Sequence, residues 1–145
     1  MEQWVDETKS SPDELFLIQL RYKHGRMVQA GAHQPVLLND GQSVWVVFTG
    51  RVDVFAVPVQ DGQVSSAQRR FLFRAESGQA VCGMTPSQGD QIALMVVGGP
   101  DTQLVRVKRA ALEQLAQNAE TVPFIIQMLD DWITGLSSGM ARHVM

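Results

Sequence analysis

Few residues in this chain have the type and spacing that enzyme or metal chemistry requires. A metal site in a β-barrel enzyme needs two or three histidines and a glutamate that converge on one point. The chain has no His-x-His pair, and its three histidines are far apart, at His24, His33 and His143. It also lacks the glycine-rich Walker loop of an ATPase. The sequence therefore predicts no catalytic residue, no metal site and no cofactor.

The remaining nucleophiles and carboxylates favour structural interpretations. Cys82 is the only cysteine, which excludes an internal disulfide, and no His, Lys or Arg lies within seven residues to stabilise a thiolate. Its apolar neighbours predict a buried core thiol. Asp130 and Asp131 are adjacent on a predicted helix and therefore point about 100° apart, which indicates a solvated face. Ser137, followed by Ser138 and a glycine, is interpreted as part of a helix end rather than as a nucleophile.

Basic residues form two small clusters, Arg69–Arg70 and the group Arg106, Lys108 and Arg109. They could hold an acidic peptide or a phosphate, but solvated charge beside strands is the favoured interpretation. The 145 residues include 12 Lys+Arg and 15 Asp+Glu, and this net charge of -3 argues against a nucleic-acid-binding protein. A hydrophobic content of 45% excludes a disordered chain, and the length fits one domain.

Between residues 26 and 108 the sequence has the period-two rhythm of β-strands. Val44–Phe48 and Val52–Val57 are β-branched and aromatic runs separated by Gly50, which suits a tight turn or a bulge. Pro58 is expected at the end or edge of its strand. Further strands are predicted at Arg69–Arg74, Ala80–Cys82, Ile92–Val97 and Gln103–Val107. About seven or eight short strands at this spacing predict an antiparallel sandwich or barrel.

Helical periodicity precedes and follows these strands. One helix is predicted to start with Ser11 as its N-cap and to end near Gly25. After Lys108, Ala110–Ala116 predicts a second helix. Thr121 is expected to cap a third helix, whose end should be weakened by two glycines, at positions 135 and 139.

The third helix carries a long apolar stripe over residues 124–136. Phe124, Met128 and Trp132 are predicted to contact a neighbouring domain or a second subunit if the stripe exceeds what one barrel can cover, and packing against the barrel is the favoured alternative. The prediction is a mainly β fold: an antiparallel, jelly-roll-like β-roll with an N-terminal helix and two C-terminal helices. A tail and helix occupy residues 1–25, the roll 26–108 and the C-terminal helices 109–145, all in one domain.

Targeting signals are not evident in the sequence. The acidic residues near the N-terminus and the lack of an apolar segment there do not fit a secretion signal. No stretch approaches about 18 uninterrupted apolar residues, the length that a membrane span requires. We therefore expect this chain to be cytoplasmic.

The order of elements resembles the cyclic-nucleotide-binding-domain fold. Ser43–Phe55 carries the resemblance, because Gly50, Val52 and Val54 match a family pattern in which a glycine turns one roll strand into the next. Ser77–Gly83 looks like the entry to the family's phosphate cassette, and the resemblance covers about residues 26–140. Three segments look closer to the N-terminal domain of NHLM-type bacteriocin-export ABC transporters, namely Ser43–Val57, Arg69–Arg74 and Gly78–Met84.

This second resemblance implies a regulatory or docking role in a larger protein. The partners would be the permease and ATPase domains of the parent transporter chain, in the inner membrane, or a precursor peptide. It also implies a homodimer, and no nucleic acid is expected as a partner.

The family's phosphate cassette uses backbone N–H groups, a glutamate for the ribose hydroxyl and an arginine for the phosphate. Here Met84 stands where the glutamate should be, and no arginine occurs between Arg74 and Arg106. We therefore predict that cAMP and cGMP do not bind. The candidate ligand-binding residues of this remnant cassette are Gly83, Met84, Thr85 and Ser87, and a purely structural loop is the favoured interpretation. The alternative functions are a small-molecule sensor with a remodelled pocket and a domain that recognises a leader peptide or partner protein.

Overall fold

A computed structural model describes residues 12–31, 33–61, 63–65, 68–85 and 90–144. Helix α1 (Pro12–Gln19) runs into a π-helical turn (Leu20–His24). The strands of the described part are β1 (Gly25–Gln29), β2 (Val36–Leu37), β3 (Ser43–Thr49), β4 (Arg51–Gln60), β5 (Gln63–Val64), β6 (Arg70–Glu76), β7 (Ala80–Cys82), β8 (Asp90–Gly98) and β9 (Gln103–Lys108). Helices α2 (Arg109–Leu115) and α3 (Val122–Val144) follow.

The strands pair in two antiparallel sheets. One sheet has the order β1-β9-β3-β7, and the other has the order β2-β8-β4-β5, with β6 also paired to β4. Side chains from both sheets meet in one buried apolar cluster, which fills the interior of the roll. The structure therefore confirms the predicted mainly β roll with flanking helices. The two-residue strands β2 and β5 were not predicted, because segments this short carry no periodicity of their own.

Strand β3 is apolar throughout because both of its faces are covered. Trp45 and Val47 point into the roll interior, whereas Val44 and Val46 face a second cluster formed with the helices. A strand between two apolar layers needs no polar alternation. Gly50 makes the turn from β3 to β4 with φ +83°, a left-handed conformation that favours glycine, as the sequence predicted.

Of the two places predicted for Pro58, a sheet edge or a strand end, the strand end is wrong, because β4 continues through Pro58 to Gln60. Strand β4 pairs with β6 through Ala56 and with β5 from Val59, so Pro58 falls between these two partners. A residue without an N–H is tolerated in a strand where the ladder on one side is interrupted.

That Gly135 and Gly139 weaken the end of the last helix stays a prediction, and α3 continues through both glycines to Val144. These glycines face β6. A Cβ at Gly139 would lie 2.5 Å from the carbonyl oxygen of Leu72, and one at Gly135 would lie 2.7 Å from the ring of Phe73. Both positions therefore let the helix approach the strand closely.

The two helix-cap predictions have different outcomes. Ser11 lies outside the described residues. Thr121 does not cap α3 with its side chain, because its hydroxyl donates to the carbonyl oxygen of Leu115 and ties the end of α2 to the start of α3. The prediction that the first helix ends near Gly25 is confirmed, because the π-helical turn that continues α1 ends at His24 with Gly25 as its C-cap. None of the described helices combines the length and apolar character needed to cross a bilayer.

Candidate functional site

The loop after β7 contains the predicted cassette residues, and its polar groups are bound to another loop. The N–H of Gly83 donates to the carbonyl oxygen of Ser43 at 3.0 Å, and the N–H of Met84 donates to that of Leu38 at 3.1 Å. The hydroxyl oxygen of Thr85 accepts a hydrogen bond from the N–H of Gly41 at 2.9 Å. The two amides and the Thr85 hydroxyl are therefore bound to residues 38–43, at the start of β3 and in the segment before it. Ser87 lies outside the described residues.

Gly83 has a packing role at this point. A Cβ there would lie 2.1 Å from the carbonyl oxygen of Asp40 and 2.8 Å from the Trp45 ring. Only a residue without a side chain lets β7 pass this close to the facing loop. Met84, which replaces the expected glutamate, is 45% exposed. Its thioether is only a weak acceptor, so it cannot take over the glutamate's hydrogen bond to a ribose hydroxyl.

Beside this loop lies a polar network that the sequence did not predict. The Arg106 Nη2 atom is 2.7 Å from Oδ2 of Asp40, and Arg106 Nε donates to the Ser43 hydroxyl at 3.0 Å. The Ser43 hydroxyl in turn donates to Asp40 at 2.8 Å. The Arg106 guanidinium also lies 5.0 Å from the centre of the Trp45 ring. These contacts hold the arginine in one orientation.

Hydrogen bonds in this network lower the pKa of Asp40. The largest cause is the backbone N–H of Gln42, followed by the Ser43 hydroxyl and by Arg106. All of these donors favour the ionised carboxylate. No local motif could have revealed the network, because Asp40 and Arg106 are 66 positions apart in the chain.

Cys82 is half-buried, and burial raises the pKa of its thiol, although the charge of Arg109 acts in the opposite direction. The side chain packs against both apolar clusters. A protonated thiol is a poor nucleophile and a poor metal ligand. Within the described residues, no group of three or more His, Cys, Asp or Glu side chains is placed to hold a metal ion.

The segment Gly135–Gly139 has the Gly-x-Ser-x-Gly spacing of a hydrolase nucleophile elbow, with Ser137 at its centre. That motif requires a sharp strand-to-helix turn that exposes the serine. Ser137 instead lies inside α3, where the two glycines face β6. The local structure therefore does not support a nucleophilic role for this serine.

The predicted interaction residues of α3 are packed on the rest of the chain. Met128 and Trp132 are buried, and Phe124 is partly buried and stacks on Phe16 of α1 with ring centres 4.7 Å apart. Trp132 meets Phe73 edge to face at 5.8 Å. Their role in contacting a partner remains a prediction. The helix presents a different set of apolar side chains to solvent, namely Ile126, Leu129, Ile133 and Met140.

A cleft of about 400 Å³ lies between α1, the turn after β6 and α3. The rings and side chains of Phe16, Leu17, Phe124 and Met128 line it, and carboxylates such as Asp13 stand at its rim. This volume falls within the range of about 300–1,000 Å³ that small-molecule pockets occupy. No sequence signal indicated the cleft, because it forms between elements that are distant in the chain.

Comparison with known proteins identifies the fold. No protein-family model and no curated protein matches the chain. Among solved structures, the reduced Fe(II) CO-sensing protein from R. rubrum is 19% identical with a TM-score of 0.59, and the match covers 97% of this chain and 58% of that one. The heme domain of CooA from Rhodospirillum rubrum is 20% identical with a TM-score of 0.56, and the match covers 97% and 92% of the two chains.

A third similar structure is unbound oxidised CprK, which is 13% identical with a TM-score of 0.53. That match covers 92% of this chain and 61% of CprK. The chain therefore spans about three-fifths of the whole CO sensor and of CprK. These similarities establish the cyclic-nucleotide-binding-like β-roll as the fold of this chain.

Proposed function

We propose that this chain is a non-catalytic regulatory or docking module that binds neither cAMP nor cGMP with useful affinity. The proposal rests on one observation. The backbone N–H groups of Gly83 and Met84 already donate hydrogen bonds to the carbonyl oxygens of Ser43 and Leu38. A phosphate in this loop would have to break those bonds. Arg106, a cation beside the loop, is already bound to Asp40. A buried phosphate charge without a free cation is costly.

Isothermal titration of the chain with cAMP and cGMP tests this proposal. We expect no binding tighter than about 1 mM, the affinity of a contact worth only about 4 kcal/mol. A thermal-shift measurement at saturating nucleotide provides a second readout, because a ligand that binds only the folded state raises Tm. A micromolar Kd for either nucleotide would refute the proposal.

We propose that the module belongs to a peptide- or bacteriocin-export ABC transporter, with that protein's permease and ATPase domains as partners. Support comes from the three segments that resemble the N-terminal domain of NHLM-type transporters. The last of them, Gly78–Met84, includes the two residues whose N–H groups are hydrogen-bonded in the loop after β7. The deciding observation is the DNA downstream of the Met145 codon. We expect an open frame that encodes membrane spans and a Walker motif. A stop codon at that point would refute the transporter assignment.

Haem is the cofactor named for one comparison structure, and His24, His33 and Cys82 do not fit it as axial ligands. An axial ligand would have to be a His, Cys, Met or Tyr side chain facing the cofactor. His24 ends the π turn and His33 is exposed, so neither lies in the roll interior. The raised pKa of Cys82 disfavours the thiolate that ligates haem iron. We therefore propose a module that works without haem, and a Soret band shift on hemin titration would contradict this.

We also propose that the module forms a homodimer through α3. Ile126, Leu129, Ile133 and Met140 are about half to three-fifths exposed and lie three, four and seven positions apart. This is the spacing of a coiled-coil seam, and two copies of one helix can bury the same stripe against each other. Such a dimer would carry conformational changes between the two rolls through their shared helices.

Analytical ultracentrifugation of the chain tests the dimer. The double variant Ile126→Glu, Ile133→Glu places charges in the seam, and we expect it to be monomeric where the parent chain is dimeric. Ser138→Glu is the matched control, since it adds a charge at an exposed position outside the stripe. A monomeric parent chain, or equal dissociation in the control, would refute the proposal.

A small-molecule sensor is the second candidate, and the cleft between α1 and α3 supports it. Its mixed lining of apolar side chains and carboxylates would suit a ligand with an apolar body and a positive charge. A thermal-shift screen of metabolites against the chain and against Phe124→Ala tests this candidate. A compound that raises the Tm of the unmutated chain but not that of Phe124→Ala would favour the sensor. If no compound raises the Tm of the unmutated chain, the result would count against it.

A further inference from the structure

Three cationic side chains lie together at one end of the sheet that contains β1 and β9. Arg26 of β1 is directly opposite Arg106 of β9, and Lys108 is two positions further along β9. Val28 and Leu104 belong to the interior cluster, and side chains alternate along a strand, so all three cations project from the interior face. We call Arg26, Arg106 and Lys108 the basic patch. The sequence placed Arg106 beside Lys108 and Arg109 but could not place Arg26 there.

The basic patch has more positive charge than the described residues around it neutralise. Its described ion pair joins Arg106 to Asp40 at 2.7 Å. Arg26 and Lys108 are exposed and make no ion pair with any other side chain that the structure describes. Arg109, the third member of the sequence cluster, pairs instead with Glu113 at 3.5 Å. Three cations and one carboxylate leave an excess of two positive charges on a chain whose net charge is -3.

Like charges directly opposite each other weaken an antiparallel strand pair. Arg26 and Arg106 are such a pair. A bound anion would remove the repulsion. Arg106 is paired with Asp40, so Arg26 and Lys108 are the cations of the patch that are left to bind an anion.

We propose that the basic patch docks an acidic, extended peptide segment of a partner protein. Lys108 is the diagonal neighbour of Arg26 across the strand pair, about 7–8 Å away, which is close to the spacing of alternate residues in an extended peptide. Carboxylates at alternate positions of such a segment could therefore face both cations. Arg26 and Lys108 are both exposed at the end of the sheet, and two separate cations suit a segment of chain better than a single small anion. Nucleic acid is disfavoured, because its affinity comes from many phosphate contacts and this patch has three cations, one of them paired with Asp40. This inference is independent of the dimer and of nucleotide binding.

Fluorescence anisotropy with labelled peptides tests the docking proposal on the full chain. The probe is a short peptide with glutamate at alternate positions, and the same peptide with glutamine is its control. We expect the glutamate peptide to bind at least about tenfold more tightly, and higher salt to weaken that binding, because the charges are exposed. Equal binding of the two peptides would overturn the proposal.

Variants locate the binding on the molecule. Arg26→Glu and Lys108→Glu should each weaken binding of the glutamate peptide by about tenfold. Arg70→Glu, which changes the same charge at an exposed position on β6, should leave the Kd within about twofold. Arg26→Gln should raise Tm in the absence of peptide, because it removes the like-charge pair. Equal weakening by all three glutamate variants would overturn the proposal, as would tighter binding of inorganic phosphate or of a single-stranded oligonucleotide than of the peptide.

Discussion

Trp132 is the side chain on which the contact between α3 and the roll depends most. Its side chain is 9% exposed, belongs to the interior cluster and meets Phe73 edge to face. The next residue, Ile133, is 60% exposed on the same helix. We therefore expect Trp132→Ala to destabilise the fold strongly and Ile133→Ala to have little effect on the monomer. The pair tests which face of α3 packs on the roll.

The magnitude of the Trp132 effect follows from the surface that it removes from water. A buried tryptophan covers about 150–250 Å², which at about 25 cal/mol/Å² corresponds to about 4–6 kcal/mol. Truncations of buried aromatic residues to alanine cost about 3–5 kcal/mol, which agrees with this figure. In a domain of this size each kcal/mol lowers Tm by about 2–4 °C, so the expected decrease is about 6–20 °C. Ile133→Ala should remain within about 0.5 kcal/mol.

Urea unfolding followed by circular dichroism measures both variants, because the mutation itself changes the tryptophan fluorescence. The protein concentration must be low enough that ultracentrifugation finds monomer, so that loss of a dimer does not lower the stability of Ile133→Ala. Trp132→Phe is a milder third variant in case the alanine variant does not fold, and it should retain part of the lost stability. A loss below about 1 kcal/mol for Trp132→Ala, together with a larger loss for Ile133→Ala, would show that the helix faces were assigned wrongly.

Three further predictions concern the loop beside β7. Gly83→Ala should cost about 1–3 kcal/mol, because its Cβ would lie 2.1 Å from the Asp40 carbonyl oxygen, whereas Gly31→Ala meets no atom within 4 Å and should be nearly neutral in urea unfolding. Because the folded pKa of Asp40 is lowered, its ionised form stabilises the fold above the ordinary pKa, and this contribution is lost as pH falls through the lowered value. The Tm difference between the parent chain and Asp40→Asn should therefore shrink in acid, and parallel Tm–pH curves would contradict this. Since burial raises the pKa of Cys82, its reaction with a disulfide reagent at pH 8 should be at least about tenfold slower in the folded chain than in urea, and equal rates would count against a buried thiol.

Several features of the fold could be predicted because the residues responsible are neighbours in the chain. The apolar run of β3, the turn at Gly50 and the return of β4 express local preferences of β-branched residues and glycine. The class of fold follows from their regular spacing. Pro58 was placed wrongly at a strand end because its tolerance inside β4 depends on where β6 stops and β5 begins. That boundary involves residues that are distant in sequence.

The helix α3 illustrates a second limit of sequence patterns. Its apolar residues on the two sides of the helix form one broad stripe, so periodicity alone could not separate Trp132, which packs on β6, from Ile133, which faces solvent. The separation results from the close approach of β6 at Gly135 and Gly139. The sequence predicts that these glycines weaken the helix, because it gives no information about the strand that lies against them.

In the candidate site, too, some features follow from the residue type at a position and others only from the way the strands pair. The sequence alone shows that Met84 follows Gly83 and that no arginine lies between Arg74 and Arg106, since each is a question of which residue occupies a position. The occupied amides of Gly83 and Met84, and the meeting of Arg26 with Arg106, became evident only when the strands were paired. Chemistry that depends only on which residue occupies a position can be predicted from the sequence. Hydrogen bonds and charge balance depend on distances between remote segments, and only the tertiary structure sets those distances.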